Sequence, residues 1–327
     1  MSNSLGIIVN PFAGRDVRRI AAKASLSEHH EKSQQVTRLV LGALSVGVQQ
    51  IFVGDDPFRI GEKATKNLPE RNMVEMLDYK FSHSAKDTVR IAEKMWEKGC
   101  KIFLVLGGDG TCRIVAKYFP DSTLLPLSTG TNNVFPYRIE ASVAGMAAGF
   151  IATGKIEKNS CQRCKLVHME NNRLSEIALV DAVLLKGDSL GNLLPIIPEN
   201  ICQIFLARSD PAAVGISPIG GASIPAGHED NFGVLIRCDK NSENRIKVAV
   251  SPGLHRSISI KTSEKIELGK VSIIRGPGIL ACDGDRVYKL GQEEMISSTI
   301  RRDGPRIIEP EKTMSLASRL NLFNKLF

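Results

Sequence analysis

Short apolar runs alternate with helical patterns over the first part of the chain. The apolar runs predict buried strands at residues 5–10, 50–53, 72–77, 101–106 and 123–127. Helices are predicted between them: residues 31–46 carry apolar side chains at helical spacing, and a second helix is predicted with Ser84 as its N-cap and Asp87 three residues on. Strands separated by helices of this length predict a parallel sheet that is covered on both faces.

The second half of the chain has the shorter rhythm of a β domain. Residues 161–170 and 174–186 are rich in strand-forming residues and are joined by a turn signal at Asn171-Asn172. Further short apolar runs, punctuated by Gly and Pro, lie at 231–237, 246–250, 271–275, 278–282 and 286–290. They predict a mostly antiparallel β domain, and residues 140–153 predict a helix that crosses into it.

The two ends of the chain carry their own signals. Leu316, Leu320 and Phe323 have helical spacing, so we predict a tail helix that packs back on a domain. The polar face of this helix has few charges, which argues against a membrane-surface helix.

No apolar run reaches the length of about 20 residues that spans a bilayer. The N-terminus has no basic region followed by a cleavage pattern, so we expect a cytoplasmic protein.

Composition narrows the class of protein without naming a function. The chain has 327 residues, 43% hydrophobic and 24% charged, which is typical of a globular protein of about two domains. This excludes a mainly disordered chain, a collagen-like chain and a coiled coil. The seven cysteines are scattered, so reduced thiols are favoured over a disulfide framework. Cys161 and Cys164 form a close pair without a second pair to complete a zinc site, so we favour a packing role.

The net charge of +8 favours anionic partners, although a solvated basic surface explains it equally well. Aromatic residues make up only 5% of the chain, so no aromatic and basic platform for single-stranded nucleic acid is predicted. We therefore expect a phosphorylated small ligand and no nucleic-acid partner. The six histidines lack metal-ligand spacing, and no metal-ligating residue is assigned.

The segment 106–111, Leu-Gly-Gly-Asp-Gly-Thr, is the most informative of the chain. It follows a buried strand and precedes a predicted helix. The glycines of this segment would adopt positive φ and let the backbone approach a ligand. The backbone N–H groups of the loop, together with the N-terminus of the helix, would bind a polyphosphate. Asp109 could then accept a proton from a hydroxyl or hold Mg²⁺. The alternative is a plain strand-to-helix turn.

Two further loops are candidates for the same site. The loop at 126–133 follows the next strand, and its hydroxyls and amides could bind ribose or phosphate, or form a polar turn. Together with residues 10–14 it would lie at the carboxyl ends of parallel strands, where ligands bind. Asp283-Gly284 is foremost a hairpin signal. Asp181 in its apolar strand and the Gly-rich segment 216–223 could be structural or face the ligand.

The order of these motifs resembles that of the NAD kinase and diacylglycerol kinase superfamily. Asn10-Pro11 with Gly14 comes first, followed by 107–111, by Gly130-Thr131-Asn132-Asn133 and by Asp283-Gly284. The Gly-Gly-Asp-Gly-Thr element is the specific part of the match. More narrowly, the whole chain resembles the AcoX proteins, the ATP-NAD kinase-like members of acetoin catabolism clusters. The segments that carry this resemblance are 6–16, 178–182 and 210–215.

The resemblance implies an NAD kinase-like fold of class α/β plus β. It would consist of a doubly wound α/β/α nucleotide-binding domain (1–138), an antiparallel β domain with the crossing helix (139–300) and a tail that returns to the first domain (301–327). The site would lie in the cleft between the domains. Asp109 would activate the acceptor hydroxyl, with ATP and Mg²⁺ as cofactors. The implied nucleotide-binding residues are Asn10, Gly14, Gly107, Gly108, Gly110, Thr111, Ser128, Thr129, Gly130, Thr131, Asn132, Asn133, Asp283 and Gly284.

The sequence departs from NAD kinases at one place in this pattern. NAD kinases carry an Asn-Glu pair that grips NAD, where this chain offers Asn132-Asn133; diacylglycerol kinase-like enzymes carry an acid after Asp-Gly, and Asp285 fills that place. We predict phosphoryl transfer from ATP to a hydroxyl acceptor, with NAD as the first choice and acetoin catabolism as the setting. The alternatives are a lipid or small-alcohol kinase and a non-catalytic NAD or ATP sensor. We expect a homo-oligomer, either a dimer or a tetramer.

Overall fold

The structure is a computed structural model that describes residues 3–15, 26–130, 133–192, 194 and 196–325. Two of the predicted site residues, Thr131 and Asn132, lie outside the described residues.

The first sheet has six parallel strands in the order β17-β5-β4-β1-β2-β3. Its strands are β1 (Ser4–Val9), β2 (Gln50–Gly54), β3 (Val74–Leu77), β4 (Ile102–Gly107), β5 (Thr123–Ser128) and β17 (Arg306–Ile307). The helices that cover it are α1 (His29–Ser45), α2 (Ile60–Thr65), α3 (Lys86–Glu97), α4 (Asp109–Tyr118), α5 (Ala141–Ala152) and α7 (Pro310–Arg319). The predicted parallel sheet is confirmed.

Both faces of the first sheet are buried, because alternate residues of each strand enter different cores. In β4, Ile102 and Leu104 pack with α1, α2 and α5 on one face, while Phe103 and Val105 pack with α3 and α4 on the other. Ser84 is predicted as the N-cap of α3, but the helix starts at Lys86 and its N-cap is Ala85.

The antiparallel half contains two sheets, in the orders β11-β12-β10-β9-β8-β14-β15 and β13-β16-β6-β7. Their strands are β6 (Leu166–Glu170), β7 (Ser175–Ala178), β8 (Asp181–Leu185), β9 (Ile201–Leu206), β10 (Phe232–Cys238), β11 (Arg245–Ser251), β12 (Leu254–Glu267), β13 (Val271–Arg275), β14 (Gly278–Cys282), β15 (Asp285–Leu290) and β16 (Met295–Arg301). The predicted antiparallel architecture is confirmed. The sequence pattern missed β9, β12 and β16; the outer faces of β12 and β16 carry polar residues.

The crossing helix α5 and the tail both pack on the first sheet. Gly42 of α1 meets α5 so closely that a Cβ there would lie 2.2 Å from the carbonyl oxygen of Ser142. The tail adds Arg306–Ile307 beside β5, and the ring of Phe323 lies 5.8 Å from that of Phe150. Leu320, predicted to face the core, is exposed because the helix ends at Arg319. The domain bounds 1–138, 139–300 and 301–327 stay a prediction.

Candidate active site

A cavity of about 590 Å³ lies where the strand-end loops of the first sheet face the antiparallel half, a volume in the range of cofactor sites. Of the predicted site residues, the ones that line it are Asn10, Gly14, Gly108, Asp109, Gly110, Thr111, Gly130, Asn133, Asp283 and Gly284. Gly107, Ser128 and Thr129 are not among its lining residues. We call residues 10–14, 107–111, 128–130 and 133 the strand-end wall, and residues 179–181, 188 and 283–286 the hairpin wall.

Asp109 is the first residue of α4, and Gly108 is its N-cap. The Asp109 carboxylate accepts hydrogen bonds from the backbone N–H groups of Val134, at 3.2 Å, and Phe135, at 2.9 Å. These bonds connect the glycine loop to the segment that follows β5. The predicted turn from a buried strand into a helix is confirmed, and the acid stands at its start.

The glycines of this loop differ from the prediction in their backbone conformation. We expected positive φ, but neither Gly107 nor Gly108 is among the glycines that have it. The space is the constraint: a Cβ at Gly107 would lie 2.6 Å from Cβ of Thr111, and one at Gly108 would lie 2.8 Å from Oδ1 of Asn133. Positive φ occurs instead at Gly14, where a Cβ would lie 2.4 Å from the carbonyl oxygen of Thr129.

The side chain of Asn10 joins the first loop to the glycine loop. Its Oδ1 accepts from the N–H groups of Phe12 and Ala13, at 3.0 and 3.2 Å, and its Nδ2 donates to Oγ1 of Thr111 at 2.8 Å. Asn10 therefore organises the strand-end wall, and its predicted contact with nucleotide stays a prediction.

A buried lysine supports the same loop from behind. Lys32 of α1 is completely buried, and its Nζ donates to the carbonyl oxygens of Asn10, Pro11 and Ala13 at 3.1, 2.7 and 2.7 Å. Hydrogen bonds from a charged donor are stronger than neutral ones. The sequence analysis missed Lys32, because no side-chain pattern marks these three backbone acceptors.

Burial raises the pKa of Asp109 to about 7, and the charge of Asp283 acts in the same direction. The N–H donors of Phe135 and Val134 and the charge of Arg208 oppose this rise. A carboxylate whose pKa lies near neutrality can both accept and return a proton, which is what general-base chemistry requires.

Asp283 occupies the turn of the hairpin between β14 and β15. Asp283 and Gly284 have φ values of 47° and 86°, which is the pattern of a type I′ turn, so the hairpin prediction is confirmed. The buried Asp283 carboxylate also accepts from the N–H groups of Leu179, Val180 and Asp181 at 2.9, 2.8 and 3.2 Å. The turn is thereby fixed to the chain segment that leads into β8.

Asp181 brings a further carboxylate to the cavity. It lines the cavity and is buried, and its Oδ1 has no hydrogen-bond partner within the described residues. Burial raises the pKa of Asp181, and the charges of Asp283 and Asp109 raise it further. A buried polar atom without a partner marks a place where a ligand can complete the hydrogen bonding. The ligand-facing reading of Asp181 is supported by this placement.

Arg113 connects the two walls of the cavity. It lies one turn after Asp109 on α4, and its guanidinium forms ion pairs with Asp285 at 2.8 Å, Glu176 at 3.4 Å and Asp283 at 3.7 Å. The Arg113 side chain is largely buried, whereas that of Asp285 is 41% exposed. The acid that follows Asp-Gly is therefore engaged by a cation of this chain.

A large part of the cavity lining is apolar. The apolar lining residues include Phe12, Tyr79, Phe81, Leu194, Ile196, Ile201, Val214, Ile216 and Val250. The ring of Phe12 lies 6.3 Å from that of Phe81 and is 42% exposed. The Gly-rich segment 216–223 forms the short helix α6 (Ser217–Gly221), and Ile216 is its residue at the cavity.

Metal-ligand chemistry is limited to separate carboxylates. Within the described residues, no group of three or more His, Cys, Asp or Glu side chains is placed to hold a metal ion. All seven cysteines are free thiols, Cys161 and Cys164 included. Mg²⁺ needs only one or two protein carboxylates when phosphates and waters complete its shell, and Asp181 Oδ1 offers one open acceptor. In the part of the chain that the structure describes, no helix is long and apolar enough to cross a membrane.

Solved structures with a similar fold are distant from this chain. A diacylglycerol kinase from Bacillus anthracis str. Sterne is 12% identical, with 94% of this chain and 96% of that chain covered and a TM-score of 0.42. An NAD kinase from Archaeoglobus fulgidus in complex with ATP is 13% identical, with 83% and 98% covered and a TM-score of 0.41.

Sequence comparison is more informative. Residues 5–155 match the ATP-NAD kinase N-terminal domain, and residues 164–303 match the acetoin catabolism protein X C-terminal domain. Acetoin catabolism protein X from Cupriavidus necator is 29% identical over 338 residues, covering 98% of this chain and 94% of that protein. These matches confirm the resemblance on which the motif analysis rested. Residues 5–155 of this chain thus resemble ATP-NAD kinases, and the chain as a whole resembles acetoin catabolism protein X.

Proposed function

We propose that this protein transfers a phosphoryl group from ATP to a hydroxyl acceptor, with Asp109 as the catalytic base. The observation that carries the proposal is the position of Asp109. Its side chain is half-buried at the helix N-terminus of the glycine loop and lines the cavity, and its pKa is raised to about 7. The similarity to ATP-NAD kinases supports ATP as the donor.

In this mechanism the acceptor oxygen attacks the γ-phosphorus, the bond to the bridging oxygen breaks, and ADP leaves. Asp109 orients the hydroxyl and takes its proton as the new bond forms. The backbone of residues 107–111 approaches the phosphates, since glycine leaves room for them. Asp181 and Asp285 would hold Mg²⁺, which neutralises phosphate charge when bound.

NAD is our first choice of acceptor, in keeping with the kinase-like family and its setting in acetoin catabolism. Asn133, with its Nδ2 donating to Ser128 Oγ at 2.9 Å, is held at the cavity and would contact the dinucleotide. The apolar side chains that line the cavity, among them the half-exposed ring of Phe12, favour a second candidate: a lipid or small alcohol with an apolar body. A cytoplasmic location and a homo-oligomeric state stay predictions.

The test is incubation of the purified protein with Mg²⁺, ATP and NAD, followed by assay of NADP. Asp109→Asn should lower the rate by about 10²–10⁴-fold without unfolding the protein, since the amide cannot accept the proton. Asp239→Asn is the matched control, because Asp239 caps a turn by accepting from Asn241 N and does not line the cavity.

Each outcome of this assay is informative. NADP formed by wild type and by Asp239→Asn, but not by Asp109→Asn, supports reaction, acceptor and base together. ADP formed only when an apolar alcohol replaces NAD would select the second candidate. Binding of ATP and NAD without turnover would favour a sensor. Wild-type rates in folded Asp109→Asn would exclude Asp109 as the base.

A further inference from the structure

The structure assigns a diphosphate-anchoring role to Arg286, a residue of the hairpin wall that the motif analysis did not single out. The inference rests on the proposed function and deepens it, because ATP and NAD both carry a diphosphate unit. We infer that one guanidinium nitrogen of Arg286 donates to an oxygen of this unit when the nucleotide occupies the cavity.

The first observation is an incomplete set of hydrogen bonds. Arg286 lines the cavity, and its side chain is only 1% exposed. Its Nε pairs with Oδ2 of Asp188 at 3.1 Å, and its Nη1 donates to the carbonyl oxygen of Gly284 at 3.1 Å. Its Nη2 is buried and has no partner within the described residues. A buried charged donor without an acceptor lowers the stability of the folded protein, so we expect a ligand oxygen to accept a hydrogen bond from this nitrogen.

The second observation is that the guanidinium is held in place. Asp188 is itself largely buried and accepts from Nδ2 of Asn192 and from the N–H of Ser189, both at 2.7 Å. Burial alone would raise the pKa of Asp188, but these hydrogen bonds and Arg286 lower it, so the carboxylate stays ionised. An arginine fixed at two of its nitrogens presents the third in a set direction, which favours binding because little conformational entropy is lost.

The third observation concerns charge at the cavity. Its described lining includes the carboxylates of Asp87, Asp109, Asp181, Asp283 and Asp285. Among these described lining residues, Arg286 is the one lysine or arginine. A polyphosphate that enters such a cavity needs cationic partners, and the protein itself supplies this one.

Arg113 shows why the role falls to Arg286. The Arg113 guanidinium forms ion pairs with three acids, Glu176, Asp283 and Asp285, which neutralise its charge. Arg113 is also not among the residues that line the cavity. Among the described residues, Arg286 has one acidic partner, Asp188. Two arginines close together in the fold therefore have different tasks: Arg113 joins the walls, and Arg286 faces the ligand.

The test measures binding by calorimetry in the presence of Mg²⁺, with ATP, adenosine, NAD and sodium pyrophosphate as probes. Arg286→Met should weaken ATP binding by about tenfold to a hundredfold, the size expected for one hydrogen bond to a charged group. Adenosine lacks phosphate, so its affinity should change less than about twofold. Loss of affinity for ATP alone, or for NAD alone, identifies which diphosphate occupies the position.

Matched variants separate this role from folding and from net charge. Arg237→Met removes the same charge from an exposed ion pair with Glu264, at a residue that does not line the cavity, and should leave all affinities unchanged. Arg286→Lys keeps the positive charge but loses the planar guanidinium that Asp188 orients. Asp188→Asn keeps the guanidinium but weakens the ion pair that holds it in place. Both variants should weaken the binding of ATP or NAD more than the binding of adenosine. They replace Arg286→Met in the test if that variant does not fold.

Two results would overturn the inference, and they are distinguishable. If wild type binds ATP or NAD and the folded Arg286 variants bind them equally well, the role of Arg286 is excluded while the proposed function stands. If wild type binds neither nucleotide nor pyrophosphate, both proposals fall together.

Discussion

The two walls of the cavity are built by different physical means. The strand-end wall is fixed by hydrogen bonds among loops, such as the bond from Asn10 to Thr111, with the buried ammonium of Lys32 gathering backbone carbonyls behind it. The hairpin wall is fixed by buried ion pairs, with Arg113 against Asp283 and Arg286 against Asp188. The first construction brings backbone close to a ligand, and the second controls charge.

The difference between the two walls indicates which part of the proposed reaction each wall supports. Backbone N–H groups of the strand-end wall can approach phosphate without side chains in between, because glycines stand there. Asp109 belongs to this wall, but its pKa depends on Asp283 across the cavity. Burial is the main cause of the raised pKa of Asp109, and the charge of Asp283 in the hairpin wall adds to it. Variants of each wall should therefore fail in different ways.

Asp283→Ala should have the largest effect, because it breaks the hairpin wall. It leaves Arg113 with less compensating charge and removes the acceptor for the N–H groups of residues 179–181. We expect a loss of about 3–5 kcal/mol in the free energy of unfolding, the range for breaking a buried ion pair. Urea unfolding measures it, with Asp283→Asn as a milder change of the same shape. A loss below about 1 kcal/mol would contradict the role of this carboxylate as an anchor.

Lys32→Met should have the next largest effect, and it acts on the strand-end wall. The apolar side chain fills much of the same space but leaves the carbonyls of Asn10, Pro11 and Ala13 without their common donor. We expect a loss of about 2–3 kcal/mol in urea unfolding. Lys117→Met is the control, since Lys117 is half-exposed and its ion pair with Glu176 should contribute under about 1 kcal/mol. Equal losses in the two variants would show that the buried ammonium has no special part.

The two walls also differ in how far the sequence predicts them. Each loop of the strand-end wall follows a buried strand, so local patterns place residues 10–14, 107–111 and 126–130 at one edge of the sheet. The partners in the hairpin wall are distant in sequence: Arg286 and Asp188 are 98 residues apart, and Arg113 and Asp285 are 172 apart. No periodicity brings such pairs together, because their contact depends on how the sheets pack.

The same reasoning explains the details that the sequence analysis missed. The turn at Asp283 is a local signal and was predicted, but the three N–H donors that its carboxylate accepts come from residues 179–181. Strand β12 was missed because its outward side chains are polar, so no continuous apolar run marks it. Local chemistry predicts turns and loops, while long-range partners require the fold.

The pH dependence of stability tests the coupling between the walls. Burial raises the pKa of Asp109 to about 7, whereas an unfolded aspartate has a value of about 3.9. The folded state therefore binds more protons between these values, and its stability should fall as pH rises toward about 7, by up to about 1.4 kcal/mol per pH unit for one group.

Asp109→Asn should remove this contribution and make the pH profile flatter, since the amide does not titrate. Part of the slope should remain, because burial also raises the pKa of Asp181. Urea unfolding of both proteins between about pH 5 and about pH 8 measures the difference. Parallel profiles for wild type and Asp109→Asn would contradict the raised pKa of Asp109.

Ser128→Ala should have the smallest effect, and it separates loop organisation from stability. Ser128 Oγ donates to the carbonyl oxygen of Gly130 at 2.7 Å and accepts from Asn133 Nδ2 at 2.9 Å, although Ser128 itself does not line the cavity. We expect a loss of about 1 kcal/mol in stability and a several-fold weaker affinity for NAD, because Asn133 loses its anchor.

Ser122→Ala is the matched control for this last prediction. Ser122 Oγ donates to the carbonyl oxygen of Phe119 at 2.6 Å, so its removal should cost about the same stability in urea unfolding. Ser122 lies at the opposite end of β5 from Ser128, before Thr123, so nucleotide affinity should stay at the wild-type level. If the two variants lose affinity equally, the effect of Ser128 is general destabilisation. If only Ser128→Ala loses nucleotide affinity, Ser128 supports binding by holding Asn133 in place, without touching the ligand itself.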